Sequence, residues 1–338
     1  MSNAEQRVVV TGASGFVARH CVQQLLQSGY QVRGTLRSLS KEANLRAALN
    51  LDDEANARLS FATTDLLRDE GWSQAMAGAT FVLHVASPFP PGPPKSVDDL
   101  VKPAKEGTLR VLRAASEAGV KRVVVTSSVA AIFAGHHQRQ GRTFTEDDWS
   151  DLSANIGAYE TSKTLAEQAA WDFVTQLPQD ATMELVTINP VFVLGPSLGA
   201  VDSTSSEVVA KLLRRDVPGV PRLHTPVVDV RDVARGHLLA MTTPSAAGKR
   251  YILSGEEPWF GDIAAMLKEE GYRVPTWVLP NWLVRIVALV DGTVKLVVPE
   301  LGKSTHYSSD RARQELGWAS RPLRETVVDS AVDVSARL

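Results

Sequence analysis

Arg7-Val8-Val9-Val10-Thr11-Gly12-Ala13-Ser14-Gly15-Phe16-Val17-Ala18 runs from a strand-length apolar segment through an abrupt glycine turn into a helical pattern. The glycines stand in a GxxGxxA arrangement. Gly12 permits the tight turn, Gly15 lets backbone approach a pyrophosphate, and Ala18 lets the helix pack closely on the strand. The first turn of the helix offers unpaired N–H groups to phosphate. Ser14 imitates the nucleophile of a hydrolase elbow, yet Gly12-Ala13-Ser14-Gly15 is one residue short of GxSxG. The segment reads as a nucleotide-binding turn, with Gly12, Ser14, Gly15, Phe16 and Val17 as cofactor contacts.

Outward from this turn, short β-branched runs alternate with helical patterns, at 7–10, 31–36, 59–62, 79–85, 122–126 and 184–189. Phe81-Val82-Leu83 and Val123-Val124-Val125 are apolar throughout, as strands buried on both faces of a parallel sheet must be. The fold class is α/β, a doubly wound parallel sheet of the Rossmann type. Helices over 17–28 and 98–118 should end at Gly29 and Gly119, with Pro103 near the start of the second. The proline-rich loop 87–94 follows a strand's carboxyl end, where such sheets bind ligands.

After Pro190 the rhythm breaks into Pro- and Gly-punctuated pieces, and Tyr251-Ile252-Leu253 is placed to rejoin the sheet. A smaller, discontinuous, mostly helical substrate lobe is expected, with Trp277, Trp282 and a helix over 310–316 in its last part. The expected division is 6–190 plus about 225–255 for the cofactor domain, and about 191–224 plus 256–338 for the lobe.

The 338 residues carry 36 Lys+Arg against 38 Asp+Glu, a net charge of -2, which gives neither nucleic acid nor an anionic membrane a footprint. One cysteine, Cys21, excludes an internal disulfide and fits a reducing compartment. The first apolar run is too short for a signal peptide, and 282–298 is broken by Arg285, Asp291 and Lys295. The expectation is a cytoplasmic protein, monomer or homodimer, with a small-molecule partner. Seven histidines include the adjacent His136-His137, which lack an HExxH context, so no metal is expected. Trp149, Trp171 and Trp318 read as packing residues.

The second strand ends in Arg37 with no acidic residue until Glu42, and Lys41 lies four residues on. A guanidinium and an ammonium there suit the 2′-phosphate of NADP rather than the ribose hydroxyl of NAD. Asp65-Leu66, after the third strand, is a candidate adenine contact.

Tyr159 and Lys163 are neighbours on one helix face. A phenol with its ordinary pKa of ~10 is a poor acid–base catalyst near neutrality without a cation beside it. Thr126-Ser127-Ser128 closes a central strand at the cofactor edge, where a hydroxyl can polarise a substrate carbonyl. A cofactor turn, a strand-end serine and a helical Tyr/Lys pair point together to catalysis.

With these motifs in hand, the chain resembles the extended short-chain dehydrogenase/reductase family, in its dihydroflavonol 4-reductase-like and NADPH-dependent aldehyde/ketone reductase branch. The resemblance covers most of the chain, extending through His84-Val85-Ala86-Ser87-Pro88-Phe89, Ile188-Asn189-Pro190-Val191, Gly195-Pro196 and Val228-Asp229-Val230-Arg231-Asp232-Val233. It implies a Ser128/Tyr159/Lys163 triad, with Ser128 preferred over Ser127, and NADPH as hydride donor. It also implies cofactor contacts from Val85, Ala86, Ser87, Thr126, Pro190, Val191, Val193 and Ser205, and a substrate site near Pro88, Phe89, Val129, Phe133 and Phe192.

Two departures bear on substrate. Asn155-Ile156-Gly157-Ala158-Tyr159 lacks the Asn-Trp-Tyr-Cys-Tyr signature of the cinnamoyl-CoA branch, which disfavours a CoA thioester. Val129-Ala130-Ala131-Ile132-Phe133 lacks the polar selector of the flavonoid enzymes. The implied activity is NADPH-dependent reduction of aldehydes or ketones, with aryl and dihydroflavonol-like carbonyls in range. The alternatives are a sugar-nucleotide epimerase or dehydratase, against which Arg37 and Lys41 stand, and a non-catalytic NADP-sensing regulator, against which Tyr159 and Lys163 stand.

Overall fold

The computed structural model describes residues 2–87, 96–136, 141–178, 183–201, 203–289, 294 and 297–338. Seven strands form one parallel sheet: β1 (Arg7–Val10), β2 (Gln31–Leu36), β3 (Leu59–Thr63), β4 (Phe81–His84), β5 (Arg122–Thr126), β6 (Glu184–Pro190) and β7 (Arg250–Leu253). Their order is β7-β6-β5-β4-β1-β2-β3. The chain winds one way from β1 to β3 and the other way from β4 to β7, so the carboxyl ends of β1 and β4 flank the switch point where such sheets bind ligands.

The apolar run of β1 shows why the sheet is covered on both faces. Val8 and Val10 join one core with Cys21, Val22 and Leu25 of α1 (Phe16–Gln27) and with Val233 and Leu238 of a later helix (Val230–Thr242). Val9 points the other way, to Val111, Leu112 and Ala115 of α2 (Asp98–Glu117) and Ala170 of α3 (Ala158–Thr175). All three valines are fully buried, each contributing roughly 1.5–3 kcal/mol. β7 pairs with β6 in the register Ile252↔Asn189. The strand takes in Arg250 as well as the expected Tyr251-Ile252-Leu253, and all four residues are buried.

The helix ends fall beside Gly29 (φ +84°) and Gly119 (φ +69°), both in the left-handed conformation expected of helix stops. α2 begins at Asp98, where the 98–118 reading starts it, and Pro103, expected near that start, lies inside the helix beyond its first turn. Asp98 and Asp99 favour that start by complementing the positive end of the helix dipole.

Beyond β6 a third core joins Leu194, Val209, Leu212, Ile263, Leu267 and Val327. Its helices are Thr204–Arg214, Phe260–Glu269 and Leu323–Ser335. Short parallel pairings knit this part together, Phe192–Leu194 with Val227–Asp229 and Val220–Pro221 with Val278–Leu279. Trp318 is buried, whereas Trp277 and Trp282 are exposed. No helix among the described residues is long and apolar enough to cross a membrane.

Candidate active site

At the switch point Gly12 has φ +63°, and a Cβ there would stand 2.9 Å from the Cβ of Ala86. The turn is held by Ala13 N donating to Thr35 O at 2.9 Å and Gly15 N to Gly12 O at 2.8 Å. Gly15 caps α1 with extended backbone and is exposed, leaving the N–H groups of Phe16 and Val17 at an open helix end. The hydroxyl of Thr11, beneath the turn, accepts from Ala86 N at 3.0 Å and lies 2.8 Å from Nδ1 of His84. Ala86 thus packs against the glycine turn, with Val85 and Ser87 on either side of it in the chain.

Past the end of β2, Arg37 is exposed, and Lys41 closes a 3-10 turn capped by Ser38. Neither cation forms an ion pair or hydrogen bond among the described residues, so both remain available to an anion. Asp65 accepts from Leu67 N at 2.9 Å, which stiffens the turn after β3 and leaves its second oxygen open. Leu66 lies beside Gly107 of α2.

Tyr159 and Lys163 project from the first turns of α3. Lys163 Nζ lies 5.9 Å from the centre of the Tyr159 ring and donates to Ser87 Oγ at 3.4 Å. This contact joins α3 to the carboxyl end of β4. Two serines follow β5 with different commitments. Ser127 donates its proton to Oε2 of Glu167, whereas Ser128 Oγ accepts from Ala130 N at 3.1 Å and keeps its own proton. α3 packs against the turn Val129–Ala131 that Ser128 caps. A cavity of about 20 Å³, room for one water, lies between α2, α3 and the ends of β4 and β5, bordered by His84, Thr108, Ser127, Lys163 and Glu167.

Thr126 is turned elsewhere. His237 Nδ1 donates to Val233 O at 2.8 Å, so the neutral ring accepts the Thr126 proton at Nε2 across 2.7 Å. Burial holds His237 at a pKa of about 4. Burial, with the Lys163 ammonium nearby, pushes His84 down to about 3. Both imidazoles are neutral fixtures of the strand ends. Pro190 ends β6, and Val191 N donates to Leu253 O at 3.1 Å. Val193 lies in the strand Phe192–Leu194, and Ser205 in the first turn of helix Thr204–Arg214, whose cap is Ser203.

Of the candidate substrate residues, Pro88 and Phe89 lie outside the described residues. Val129 is buried in the turn behind Ser128. Phe192 packs against the third core. Phe133 meets Tyr307 edge-on, ring centres 6.2 Å apart. Tyr307 is fixed by its N–H donating to Glu257 at 2.8 Å, and the other oxygen of Glu257 lies 2.6 Å from Nδ1 of His306.

His224 completes a group with Glu257 and His306 whose ligand-capable atoms lie within 4.8 Å of one another. Its members come from three separate segments, so no local spacing in the sequence marks it. His224 Nδ1 accepts from Thr305 N at 3.3 Å, so the group stands as a hydrogen-bonded brace behind Tyr307. His136 donates to Trp149 O at 2.9 Å, and His137 lies outside the described residues. Sequence reasoning also missed Glu167 and Arg250. The spacing of Glu167, four residues beyond Lys163, was the available signal.

The model of the NAD dependent epimerase/dehydratase family matches residues 8–254. NADPH-dependent methylglyoxal reductase Gre2 of Saccharomyces cerevisiae is 30% identical, over 97% of this chain and 97% of that protein. Cinnamoyl-CoA reductase 1 of Arabidopsis thaliana is 36% identical, over 81% of this chain and 78% of that protein. Among solved structures, yeast methylglyoxal/isovaleraldehyde reductase Gre2 complexed with NADPH matches with a TM-score of 0.82 at 30% identity, covering 98% of this chain and 100% of that one.

Proposed function

The chain belongs to the NAD dependent epimerase/dehydratase family, and from that membership we propose that it is an NADPH-dependent reductase that converts aldehydes or ketones to alcohols. The observation that carries this reading is the position of Lys163, on one helix face with Tyr159 and within 3.4 Å of Ser87 at the switch-point edge of the sheet. The glycine turn fits a dinucleotide, because the exposed Gly15 leaves the first N–H groups of α1 open to a phosphate. Arg37 and Lys41, exposed and unpaired among the described residues, fit its 2′-phosphate. When bound, NADPH supplies the hydride.

The protein's part is to bind the carbonyl and hand it a proton. Ser128, whose oxygen is held by Ala130 N, donates its O–H to the carbonyl oxygen. Ser127 does not serve in its place, since its proton is committed to Glu167. Tyr159 protonates the same oxygen as charge develops on it, and Lys163 stabilises the negative charge left on the phenol. Phe133, with Val129 packed behind Ser128, gives the substrate side an apolar wall suited to small or apolar carbonyls. The residues beyond β6, apart from the helix Val230–Thr242 and β7, serve as the substrate lobe.

The test is oxidation of NADPH by the purified protein, followed by absorbance, across a panel of aliphatic and aryl aldehydes and ketones. Turnover that disappears in Tyr159→Phe is expected. Binding of NADPH without oxidation by any member of the panel would overturn the reading.

A further inference from the structure

We propose that Glu167 is a positioning residue for this site: its buried carboxylate ties the helix carrying Tyr159 and Lys163 to the strand ends carrying the two serines, and so decides which serine keeps its proton for substrate. The inference rests on the reductase reading above.

Glu167 follows Tyr159 and Lys163 at intervals of four, so all three share one face of α3. The first two residues reach the cofactor edge, whereas Glu167 is only 1% exposed. A buried carboxylate has to be paired and hydrogen-bonded, and this one is met from three strands. Oε2 accepts from Ser127 Oγ at the end of β5 and from Asn189 Nδ2 of β6 at 2.8 Å. Oε1 accepts from Thr187 Oγ of β6 at 2.9 Å and from Arg250 Nε of β7 at 2.7 Å. The amide of Asn189 also donates to the backbone oxygen of Ser128 at 3.1 Å. One side chain therefore connects the carboxylate on α3 to the peptide of the substrate-facing serine.

The two oxygens divide the work. The side facing Arg250 compensates a buried charge, whose guanidinium also donates to Glu146 O at 2.8 Å and Asp148 O at 2.6 Å. The side facing Ser127 and Asn189 holds the serines. It removes Ser127 from competition and fixes the Ser128 carbonyl, while Ala130 N fixes the Ser128 hydroxyl oxygen. Without that second oxygen, α3 and the strand end lose their common reference. A displacement of an ångström between proton donors and substrate is enough to cost about 100-fold in rate.

The two functions separate in a pair of double variants. Glu167→Met with Arg250→Met replaces the ion pair by apolar side chains, a change that buried pairs often tolerate. Glu167→Gln with Arg250→Met also removes the pair, but keeps an amide oxygen for Ser127 and Asn189. If the carboxylate serves only to hold the fold, the two variants behave alike. Positioning requires the Met/Met variant to lose about 10- to 100-fold in kcat, with KM for the carbonyl and affinity for NADPH nearly unchanged, and the Gln/Met variant to recover most of it. Equal kcat in the two would overturn the proposal.

If the Met/Met variant does not fold, Asn189→Ala removes the bridge while leaving the Glu167–Arg250 pair in place. The same loss of kcat at constant KM is then expected, and an unchanged kcat overturns the proposal. Amide hydrogen exchange at residues 127–131 needs no turnover. Faster exchange there in Met/Met or Asn189→Ala than in Gln/Met supports the tie, and uniform exchange overturns it. A wild type that reduces no carbonyl sinks the reductase reading alone, because the exchange comparison still decides on Glu167.

Discussion

The Lys163 ammonium stands 5.9 Å from the centre of the Tyr159 ring, one helical turn away on the same face. A cation at that range lowers the energy of a phenolate formed as its proton leaves. Tyr159→Phe is expected to lower kcat for NADPH-dependent carbonyl reduction by about 10²- to 10⁴-fold, with the fluorescence titration of NADPH unchanged. Retention of full turnover would remove Tyr159 from the proton-donating role.

Arg37 and Lys41 bear on cofactor choice. Charge-assisted hydrogen bonds contribute about 1.5–3 kcal/mol each. Arg37→Ala with Lys41→Ala should therefore raise KM for NADPH by at least about 10-fold while leaving KM for NADH almost where it was. Steady-state kinetics with both cofactors measure the ratio, and an unaltered preference would exclude these side chains from the 2′-phosphate.

Gly12→Ala introduces a Cβ into left-handed backbone at φ +63°, 2.9 Å from the Cβ of Ala86. The backbone penalty alone is roughly 1–2 kcal/mol. Urea unfolding should show at least that loss. Added NADPH, which stabilises the wild type by binding its native state, should no longer shift the midpoint.

His84 and His237 predict a pH dependence of stability. Both are held neutral by burial, with pKa values of about 3 and about 4 against the ordinary 6.5 of a histidine. The unfolded chain therefore takes up protons that the native state refuses. Stability is thus intact above about pH 6.5 and falls as pH drops from there, toward about 4 for His237 and about 3 for His84. The full cost is on the order of 3–5 kcal/mol per histidine. Chemical unfolding between pH 8 and pH 4.5 measures the slope. His237→Gln should flatten it, and an unchanged slope would show that His237 does not contribute.

The parts of this protein legible in the chain were those whose physics is local. The valine run of β1, the glycine turn, Gly29 and Gly119 as helix stops, and the four-residue interval of Tyr159 and Lys163 all depend on residues within one or two turns of one another. The start of α2 at Asp98 was legible too, but Pro103 lies past the first turn, where a missing N–H is no longer free of cost.

What linear order left open was settled by contacts between distant segments. Ser127 and Ser128 are equivalent as letters. They become different only when Glu167, 40 residues away, takes the proton of the first. Thr126 stands at the cofactor edge by position, yet its hydroxyl is claimed by His237, 111 residues on. Arg250 reaches Glu167 across 83 residues because β7 returns to the sheet beside β6. Backbone conformation and helical spacing are properties of neighbours, so the chain alone specified the α/β frame, the nucleotide turn and the Tyr/Lys pair. The commitment of a buried proton depends on which groups share its enclosure, and folding alone decided that.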